Sequence, residues 1–343
     1  MLLSIITINY NNAEGLRKTL ASVASQTYPY IEHIIVDGGS TDESVEVIRE
    51  YESSLASRLS PLASRLKWIS EKDTGIYNAM NKGLEIALGR RIVNEDHTSC
   101  LVASSPHRLI ALDHYIQILN SGDILAAPDV TERMIAALQD NIKQQQHNIN
   151  NPSVVAQHTT TATENNTSTP HRLIASSPYQ NHPAIFYGNM IKVNAAGEVV
   201  GRSGYTEYSL RQFYSSTLNH DCAYIRRDLF EQYGLYDENL KIVSDWKWYL
   251  QAIGLGRVKP EYADIDVTIF DDGGISETNL ALRNKERRQV LEELLPPAVL
   301  WDYDTHAFEM EQMNRLRRWK LYPIVYFMER VLCKLEKLYK IFV

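Results

Sequence analysis

The sequence predicts an α/β protein with a mainly parallel central sheet flanked by helices and a helical C-terminal tail. Three observations indicate this class. Short apolar runs alternate with segments of helical periodicity over residues 2–125. Each apolar run ends in a cluster of polar residues and glycines, and helical spacing dominates after residue 280. Strands that alternate with helices are typical of βαβ units, whose strands lie parallel in one sheet.

The first βαβ unit is predicted within the first 40 residues. Residues 2–8 form an apolar, β-branched run, and the spacing of apolar residues over 16–24 gives a helix with one buried face. A second apolar run, residues 33–37, ends at two glycines and a serine. This strand–helix–strand order predicts two neighbouring parallel strands.

The alternation continues to about residue 125. Ser40 or Thr41 is the predicted N-cap of a helix that runs through Tyr51, because acidic residues follow it directly. The later predicted elements, in chain order, are a strand at 66–70, a helix near 76–88 and a strand at 115–119. The loops after these strands should meet at one edge of the sheet, where open α/β sheets bind ligands.

Composition and charge exclude several classes of protein. Of the 343 residues, 44% are hydrophobic and 22% charged, which is enough for a folded core. The net charge of −7 argues against a general nucleic-acid binder. Three distant cysteines form neither a disulfide lattice nor a CxxC pair, and the first residues lack the basic region of a signal peptide. We therefore expect a cytoplasmic protein.

Composition also divides the chain into segments. Residues 140–183 are rich in Gln, Asn, Thr, Ser and His, which predicts a disordered surface loop between the ordered segments 1–139 and 184–280. The helical tail covers 281–343.

Four polar clusters follow the predicted strands, at residues 7–11, 37–42, 73–75 and 120–123. Each cluster alone is explained by a turn and a helix cap. Four of them on consecutive strands predict a binding crevice. It has neither a dinucleotide fingerprint nor a P-loop, because GxGxxG and GxxxxGK[ST] are both absent.

Five motifs in order resemble the family 2 inverting glycosyltransferases of GT-A fold, and most closely those that build bacterial surface polysaccharides. The motifs are TINYNN (7–12), IIVDGGSTDES (34–44), EKDTGIYNAMNKGLEIALG (71–89), ILNSGDIL (118–125) and VSDWKWYLQ (243–251). The likeness runs from residue 2 to about 275, interrupted by inserts at about 90–114 and at 140–183. It implies a donor-binding half over 1–139 and an acceptor-binding, catalytic half over 184–280.

The resemblance assigns roles to individual residues. Asp123 would hold a divalent cation, Mn²⁺ or Mg²⁺, and Asp245 would be the catalytic base; in the absence of the resemblance, Asp245 is explained as a helix cap. His220 and Ser276 would contact acceptor or phosphate, although His220 also fits a structural histidine, and the loop 270–279 also fits an ordinary turn. The residues that would bind the nucleotide-sugar donor, expected to be a UDP-sugar, are Thr7, Asn9, Asp37, Asp73, Asn81 and Lys82.

The chain departs from the family pattern in four places. The metal motif retains one carboxylate, in Ser121-Gly122-Asp123, while Asn78 and Gly38 stand where many relatives have Asp. The fourth departure is the insert at about 90–114. Because it precedes a strand, we expect it to leave the sheet at the amino-terminal edge, away from the crevice.

The tail carries a basic amphipathic pattern. From residue 314 to 343, eight lysines and arginines stand against two glutamates, a local charge of +6, beside a broad apolar face. This pattern predicts binding in the plane of an anionic membrane. The alternative is a helix packed on the body or on a second subunit in a homodimer.

The sequence thus predicts an inverting hexosyl- or N-acetylhexosaminyl-transferase acting on a saccharide or lipid-linked acceptor. Two alternatives stay open. A catalytically silent sugar-nucleotide-binding or scaffold protein would bind donor without transfer, and a sugar nucleotidyltransferase would release pyrophosphate from a nucleoside triphosphate. The latter is disfavoured because the first loop lacks a Gly- and Arg/Lys-rich triphosphate cradle.

Overall fold

The computed structural model describes most of the chain in two compact units. The first is Met1–Glu286 and the second Arg287–Val343. The residues described are 1–57, 60–94, 96–101, 114–150, 182–194, 196–271, 279–318 and 322–342. The segments 1–139 and 184–280 therefore both lie in the first unit.

The strands of the described residues are β1 Leu2–Asn9, β2 Ile31–Asp37, β3 Leu66–Ser70, β4 Arg91–Val93, β5 Ser99–Leu101, β6 His114–Ile118, β7 Ile124–Leu125, β8 Ile185–Val193, β9 Val199–Arg202, β10 Ala223–Arg226 and β11 Pro260–Asp271. Nine of them form one mainly parallel sheet, in the order β3-β2-β1-β6-β10-β8-β11-β7, with β9 paired to β8. The pairs β1–β2, β2–β3, β1–β6 and β8–β11 are parallel. The predicted sheet is confirmed.

The register of the first strands brings their carboxyl ends together. Asn9 of β1 pairs with Asp37 of β2, and Asp37 pairs in turn with Ser70 of β3. Almost every side chain of β1 and β2 is buried, because helices cover both faces of the sheet. The polar residues at these strand ends are therefore gathered at one edge.

Helices cover both faces of the sheet. The helices of the described residues are α1 Ala13–Ala24, α2 Ser44–Ser57, α3 Ile76–Ala87, α4 Val130–Asn150, α5 Leu210–Ser215, α6 Asp228–Tyr233, α7 Ser244–Tyr249, α8 Leu280–Leu294, α9 Pro297–Arg317 and α10 Tyr322–Phe342. Apolar residues of α1, α2 and α4 join one core cluster, while α3 packs against β1 and β2. A Cβ on Gly83 of α3 would lie 2.4 Å from Ile6 Cγ2, so this glycine permits the close approach of α3 to the sheet.

The described part of the insert 90–114 does not lie where the sequence predicted. Strands β4 and β5 form a hairpin whose His97 stacks on Trp68 of β3, at 3.6 Å between ring centroids. The backbone N–H of Ser70 donates to the carbonyl of His97. The hairpin therefore lies beside the carboxyl half of β3, because this edge strand offers an open N–H and an aromatic face. No described residue of the insert lines the cavity described below.

Two predicted boundaries are also wrong. Helix α4 continues to Asn150, so residues 140–150 are helical and not part of a loop. Its Ile142 is buried in the core, which explains why the helix persists into a polar segment. The second error concerns α2, which begins at Ser44; its predicted caps, Ser40 and Thr41, bond to the first two loops instead.

The second unit contains α9 and α10. Described side chains of α10 are largely exposed, including Phe327 at 67% and Leu332 at 61%. Among the helices of the described ranges, none is long and apolar enough to cross a membrane.

Candidate active site

A cavity of about 900 Å³ opens at the carboxyl ends of the parallel strands. It is lined by residues of all four predicted loops and by the start of α7. Of the site residues predicted from the sequence, it brings together Asn9, Asp73, Asp123, His220 and Asp245.

The first two loops are joined through hydrogen bonds. Asn11 has a φ of 49°, and its side-chain oxygen accepts from the backbone N–H of Thr41 at 2.8 Å. Asp37 is fully buried, and its carboxylate accepts from the Asn9 amide, from Ser70 Oγ, and from both the backbone and the hydroxyl of Ser40. Asp37 therefore organises the loops, and its predicted contact with the donor stays a prediction.

Thr7 also points away from the cavity. Its side chain is fully buried, and its hydroxyl lies 3.0 Å from Nε2 of His33. The opposite ring nitrogen, Nδ1, lies 2.9 Å from the hydroxyl of Tyr51. Burial lowers the pKa of His33 to about 3, so the ring is neutral. The side chain of Thr7 thus belongs to this buried hydrogen-bond chain, and its predicted contact with the donor stays a prediction.

Asp73 stands over the backbone of the second loop. A Cβ on Gly38 would lie 2.2 Å from Asp73 Oδ2, so the carboxylate occupies the space that a side chain at position 38 would need. Burial raises the pKa of Asp73. Both residues line the cavity.

The loop 120–123 is held by the N-cap and the middle of α1. Asn12, the N-cap of α1, donates its amide to the carbonyl of Ser121, and Thr19 Oγ1 donates to the carbonyl of Asp123 at 2.7 Å. Gly122 has a φ of 110°, a conformation that side-chain-bearing residues rarely adopt. The turn thus places Asp123 in a fixed position.

Asp123 fits the cation ligand that the resemblance implies. Its Oδ2 is buried and has no hydrogen-bond partner among the described residues. Burial, and then the charge of Asp221, raises the pKa of the Asp123 carboxyl to about 8. A hard cation would satisfy this oxygen. The described residues contain no group of three or more His, Cys, Asp or Glu that could hold a metal, so such an ion would share its coordination with ligand oxygens and water.

Asp245 faces the cavity from the first turn of α7. The N-cap of this helix is Val243, so Asp245 is not its cap. Tyr77 donates its hydroxyl to Asp245 Oδ1 at 2.8 Å, and His220 Nδ1 lies 3.3 Å from Oδ2. Each carboxylate oxygen is thus held by one side chain, and because a carboxylate has about four lone-pair sites, it keeps capacity to accept a proton.

These partners keep Asp245 ionised. Burial raises the pKa of the Asp245 carboxyl, but the hydrogen bond and charge of His220, with the hydrogen bond of Tyr77, outweigh it and hold the pKa below its usual value. Burial and the charge of Asp245 raise the pKa of Tyr77 well above its ordinary value, so the phenol remains a donor.

Asn81 and Lys82 lie outside the cavity lining, and their predicted contacts with the donor stay predictions. Asn81 donates to the carbonyl of Tyr236 and to Glu238, while Lys82 Nζ lies 3.0 Å from a carboxylate oxygen of Glu71 and donates to the Lys72 carbonyl. They hold the walls of the site together. Ser276 lies outside the described residues.

Sequence reasoning missed three functional candidates in the lining: Lys72, Lys241 and Tyr77. Both lysines are exposed, so they can offer cations to an anionic ligand. The position of Lys72 beside Asp73 was an available signal. Tyr77 lies among apolar residues of α3, and no sequence pattern links it to Asp245, which is 168 residues away.

Comparisons with known proteins agree with the motifs. Residues 4–97 match the family model described as "Glycosyl transferase family 2". An uncharacterized glycosyltransferase of Mycobacterium tuberculosis is 32% identical over 136 residues, which cover 39% of this chain and 39% of that protein. The chain therefore matches well under half the length of this relative.

A second relative matches over more of the chain. A Mycobacterium bovis protein named as a PGL/p-HBAD biosynthesis glycosyltransferase is 21% identical over 278 residues, covering 80% of this chain and 79% of its own length. Among solved structures, Staphylococcus aureus TarS 1–349 in complex with UDP-GlcNAc has a TM-score of 0.49 and 15% identity, covering 82% of this chain and 61% of that chain. The resemblance to family 2 glycosyltransferases is confirmed by the family model and the relatives.

Proposed function

We propose that this chain transfers a hexose or N-acetylhexosamine from a nucleoside-diphosphate donor, a UDP-sugar, to a saccharide or lipid-linked acceptor, with inversion. One observation carries the proposal. A single cavity holds the carboxylate of Asp245, which His220 and Tyr77 keep ionised, and a second buried carboxylate, Asp123, whose Oδ2 has no partner among the described residues. The match to glycosyl transferase family 2 supports this reading.

The donor would be bound by the first three loops. Asn9, Tyr10 and Asp73 line the end of the cavity beside β1 and β2, and Asp73 offers carboxylate oxygens to hydroxyl or N–H groups of a nucleoside. Lys72 and Lys241 would pair with the diphosphate, in place of the buried Lys82.

Asp123 would hold the divalent cation, Mn²⁺ or Mg²⁺. When bound, such an ion neutralises charge on the diphosphate oxygens of the leaving group. Thr19 and Gly122 keep the Asp123 loop in place through the 2.9 Å bond from the Gly122 N–H to the Thr19 hydroxyl. The chain supplies one carboxylate, which suits a cation that also binds phosphate and water.

Asp245 would serve as the general base. Its free lone pair accepts the proton of the acceptor hydroxyl while that oxygen forms a bond to the anomeric carbon. The bond from the anomeric carbon to the phosphate oxygen breaks, and its electron pair leaves with the nucleoside diphosphate. A single displacement inverts the anomeric centre, and general-base assistance of this kind contributes roughly 10²–10⁴-fold to rate.

The Asp245→Asn variant tests this function. We expect nucleoside diphosphate release from the donor to fall by about 10²–10⁴-fold while donor affinity stays within about threefold, because the amide cannot accept the proton. The matched control is Asp129→Asn, an exposed residue that precedes α4. Retained turnover in Asp245→Asn would remove it from the base role. Donor binding without turnover in the unaltered chain would favour the silent-scaffold reading.

For the tail, we propose peripheral binding to an anionic membrane surface through α10, at the inner face of the plasma membrane. The exposed apolar side chains of α10 recur at helical spacing, and Arg330 lies among them. Basic residues beside an exposed apolar face fit anionic headgroups and the acyl boundary below them. The described members of this face are Ile324, Phe327, Met328, Val331, Leu332 and Leu335.

Vesicle flotation tests the membrane proposal. Phe327→Asp should reduce flotation with vesicles of phosphatidylglycerol and phosphatidylcholine, while Phe308→Asp should not. The control residue is an equally exposed phenylalanine on α9, at 60% against 67%. Flotation of the unaltered chain that equals that of vesicle-free samples would contradict the proposal. A dimer broken by Phe327→Asp would identify a second copy as the occupant.

A further inference from the structure

His220 touches two parts of the cavity that lie far apart in the sequence. Its Nδ1 lies 3.3 Å from Asp245 Oδ2, and its Nε2 lies 3.2 Å from the side-chain amide nitrogen of Asn120. Asn120 opens the loop that carries Asp123, and Asp245 lies on α7. One imidazole ring therefore joins the loop of the cation ligand to the catalytic base.

The partner on each side fixes the hydrogens of the ring. An amide nitrogen can only donate, so Asn120 makes Nε2 an acceptor and leaves the hydrogen on Nδ1, facing Asp245. Burial lowers the pKa of His220, but the hydrogen bond and charge of Asp245, followed by Asp221 and Asp123, raise it to about 9. A second proton at Nε2 is accommodated when the Asn120 amide turns over, since its oxygen has no other partner among the described residues. In both states, Nδ1 donates to Asp245.

The segment around His220 is anchored on both sides. Gln117 of β6 donates its amide to the backbone carbonyl of Asp221, and Thr268 of β11 donates its hydroxyl to the Asp221 carboxylate at 2.7 Å. Asp221 is buried. Two strands of the sheet therefore set the position of the imidazole, which makes it a rigid support for the groups that it contacts.

We infer that His220 is a positioning residue, which holds the carboxylate of Asp245 through Nδ1 and ties it to the loop of Asp123 through Nε2. The inference rests on the proposed function, in which these two aspartates serve as base and cation ligand. His220 does not take up the acceptor proton. It keeps the base oriented toward the cavity, and Tyr77 holds the other carboxylate oxygen.

Two variants separate the two contacts. In His220→Asn, the amide nitrogen can stand near the position of Nδ1 and still donate to Asp245. In His220→Gln, the longer amide reaches toward the position of Nε2 and keeps only the contact with Asn120. The matched control is His147→Gln, an exposed histidine on α4.

The experiment measures donor affinity, kcat and the pH dependence of kcat with UDP-glucose and UDP-N-acetylglucosamine as probes. We expect His220→Gln to lose about 10²-fold in kcat, because a misplaced catalytic group costs about this much. The acid limb of the pH profile of kcat for His220→Gln should move to higher pH, because Asp245 loses the donor that keeps its pKa low. His220→Asn should keep kcat within about tenfold, and donor affinity should change less than threefold in both variants.

The outcomes separate the proposed function from the positioning role of His220. Failure of the unaltered chain to bind either donor would count against the proposed function. With donor binding intact, wild-type kcat in His220→Gln would overturn the inference. Equal losses in the Asn and Gln variants with an unmoved acid limb would also overturn it, since that is the result of a purely structural histidine. Thermal melts of each variant identify losses that come from unfolding.

Discussion

The carboxylate of Asp73 occupies the space that a side chain on Gly38 would fill: a Cβ built on Gly38 would lie 2.2 Å from Asp73 Oδ2. The glycine at this position, where the sequence departs from the pattern it resembles, is thus matched by a carboxylate from the loop that follows β3. A side chain at position 38 and the carboxylate of Asp73 exclude each other. The cavity therefore presents the Asp73 carboxylate beside the first two loops.

This relationship predicts the effect of Gly38→Ala. The added methyl should push Asp73 aside at little cost in folding stability, because the atom it meets is the end of a flexible side chain. Donor affinity should fall by about as much as in Asp73→Ala. The double variant should lose no more donor affinity than either single variant. Calorimetric donor titration of the three variants measures this, and fully additive losses would contradict it.

A second prediction concerns Glu238, whose carboxylate oxygens accept from Asn78 and Asn81, each at 2.8 Å. Replacing Asn78 by aspartate would remove one donor and bring two like charges together. We expect Asn78→Asp to lower the free energy of unfolding by about 1 kcal/mol at pH 7. Adding Glu238→Gln should restore most of the loss in urea titrations. An unchanged free energy of unfolding in Asn78→Asp would show that the hydrogen bond from Asn78 does not hold Glu238.

The third prediction follows from buried His33. Its pKa is about 3 in the folded chain, against an ordinary value near 6.5, so the unfolded state binds a proton that the folded state excludes. Stability should therefore fall as the pH decreases from 6.5 toward 3, by about 2 kcal/mol at pH 5 from this residue alone.

Urea unfolding at pH 7 and pH 5 checks the His33 prediction. His33→Gln should be less stable than the unaltered chain at pH 7, since its bonds to Thr7 and Tyr51 change, but should lose less stability between the two pH values. His147→Gln should behave as the unaltered chain. Equal losses in His33→Gln and the unaltered chain would contradict the assignment.

The fourth prediction concerns Tyr77, whose hydroxyl lies 2.8 Å from Asp245 Oδ1. Tyr77→Phe removes one donor from the base, so the pKa of Asp245 should rise and kcat should fall by about tenfold, because one hydrogen bond to a charged group is worth about 1.5–3 kcal/mol and only part of it orients the base. The acid limb of kcat against pH should move upward. An identical pH profile in Tyr77→Phe would show that the phenol does not act on the base.

Much of the fold could be predicted because the apolar runs and the turn residues that bound them indicate the same strands and helices. The predicted strand 66–70 coincides with β3, and the predicted helix 76–88 with α3 to within one residue. The hairpin of β4 and β5 was missed because its three-residue strands are too short to show a period. The helical residues 140–150 were missed because a long polar helix needs only a narrow apolar face, supplied here by residues such as Ile142.

The site was predicted less completely. Polar residues at strand ends indicated where the cavity lies, and Asn9, Asp73 and Asp123 do line it. The side chains of Thr7 and Asp37 turn inward instead. Because both faces of their strands are buried, the alternation of side chains does not indicate which residues face the ligand. Their partners, His33 and Ser70, come from neighbouring strands, and only the register of the sheet identifies them.

Cation-dependent binding of a UDP-sugar in the cavity is tested by calorimetric titration of the purified chain with UDP-glucose, UDP-N-acetylglucosamine and GDP-mannose, with and without Mn²⁺. We expect one of the two UDP-sugars to bind, Mn²⁺ to strengthen its binding, and Asp123→Asn to abolish the effect of Mn²⁺. Binding of neither UDP-sugar, or binding that neither Mn²⁺ nor Asp123→Asn alters, would contradict the proposed function.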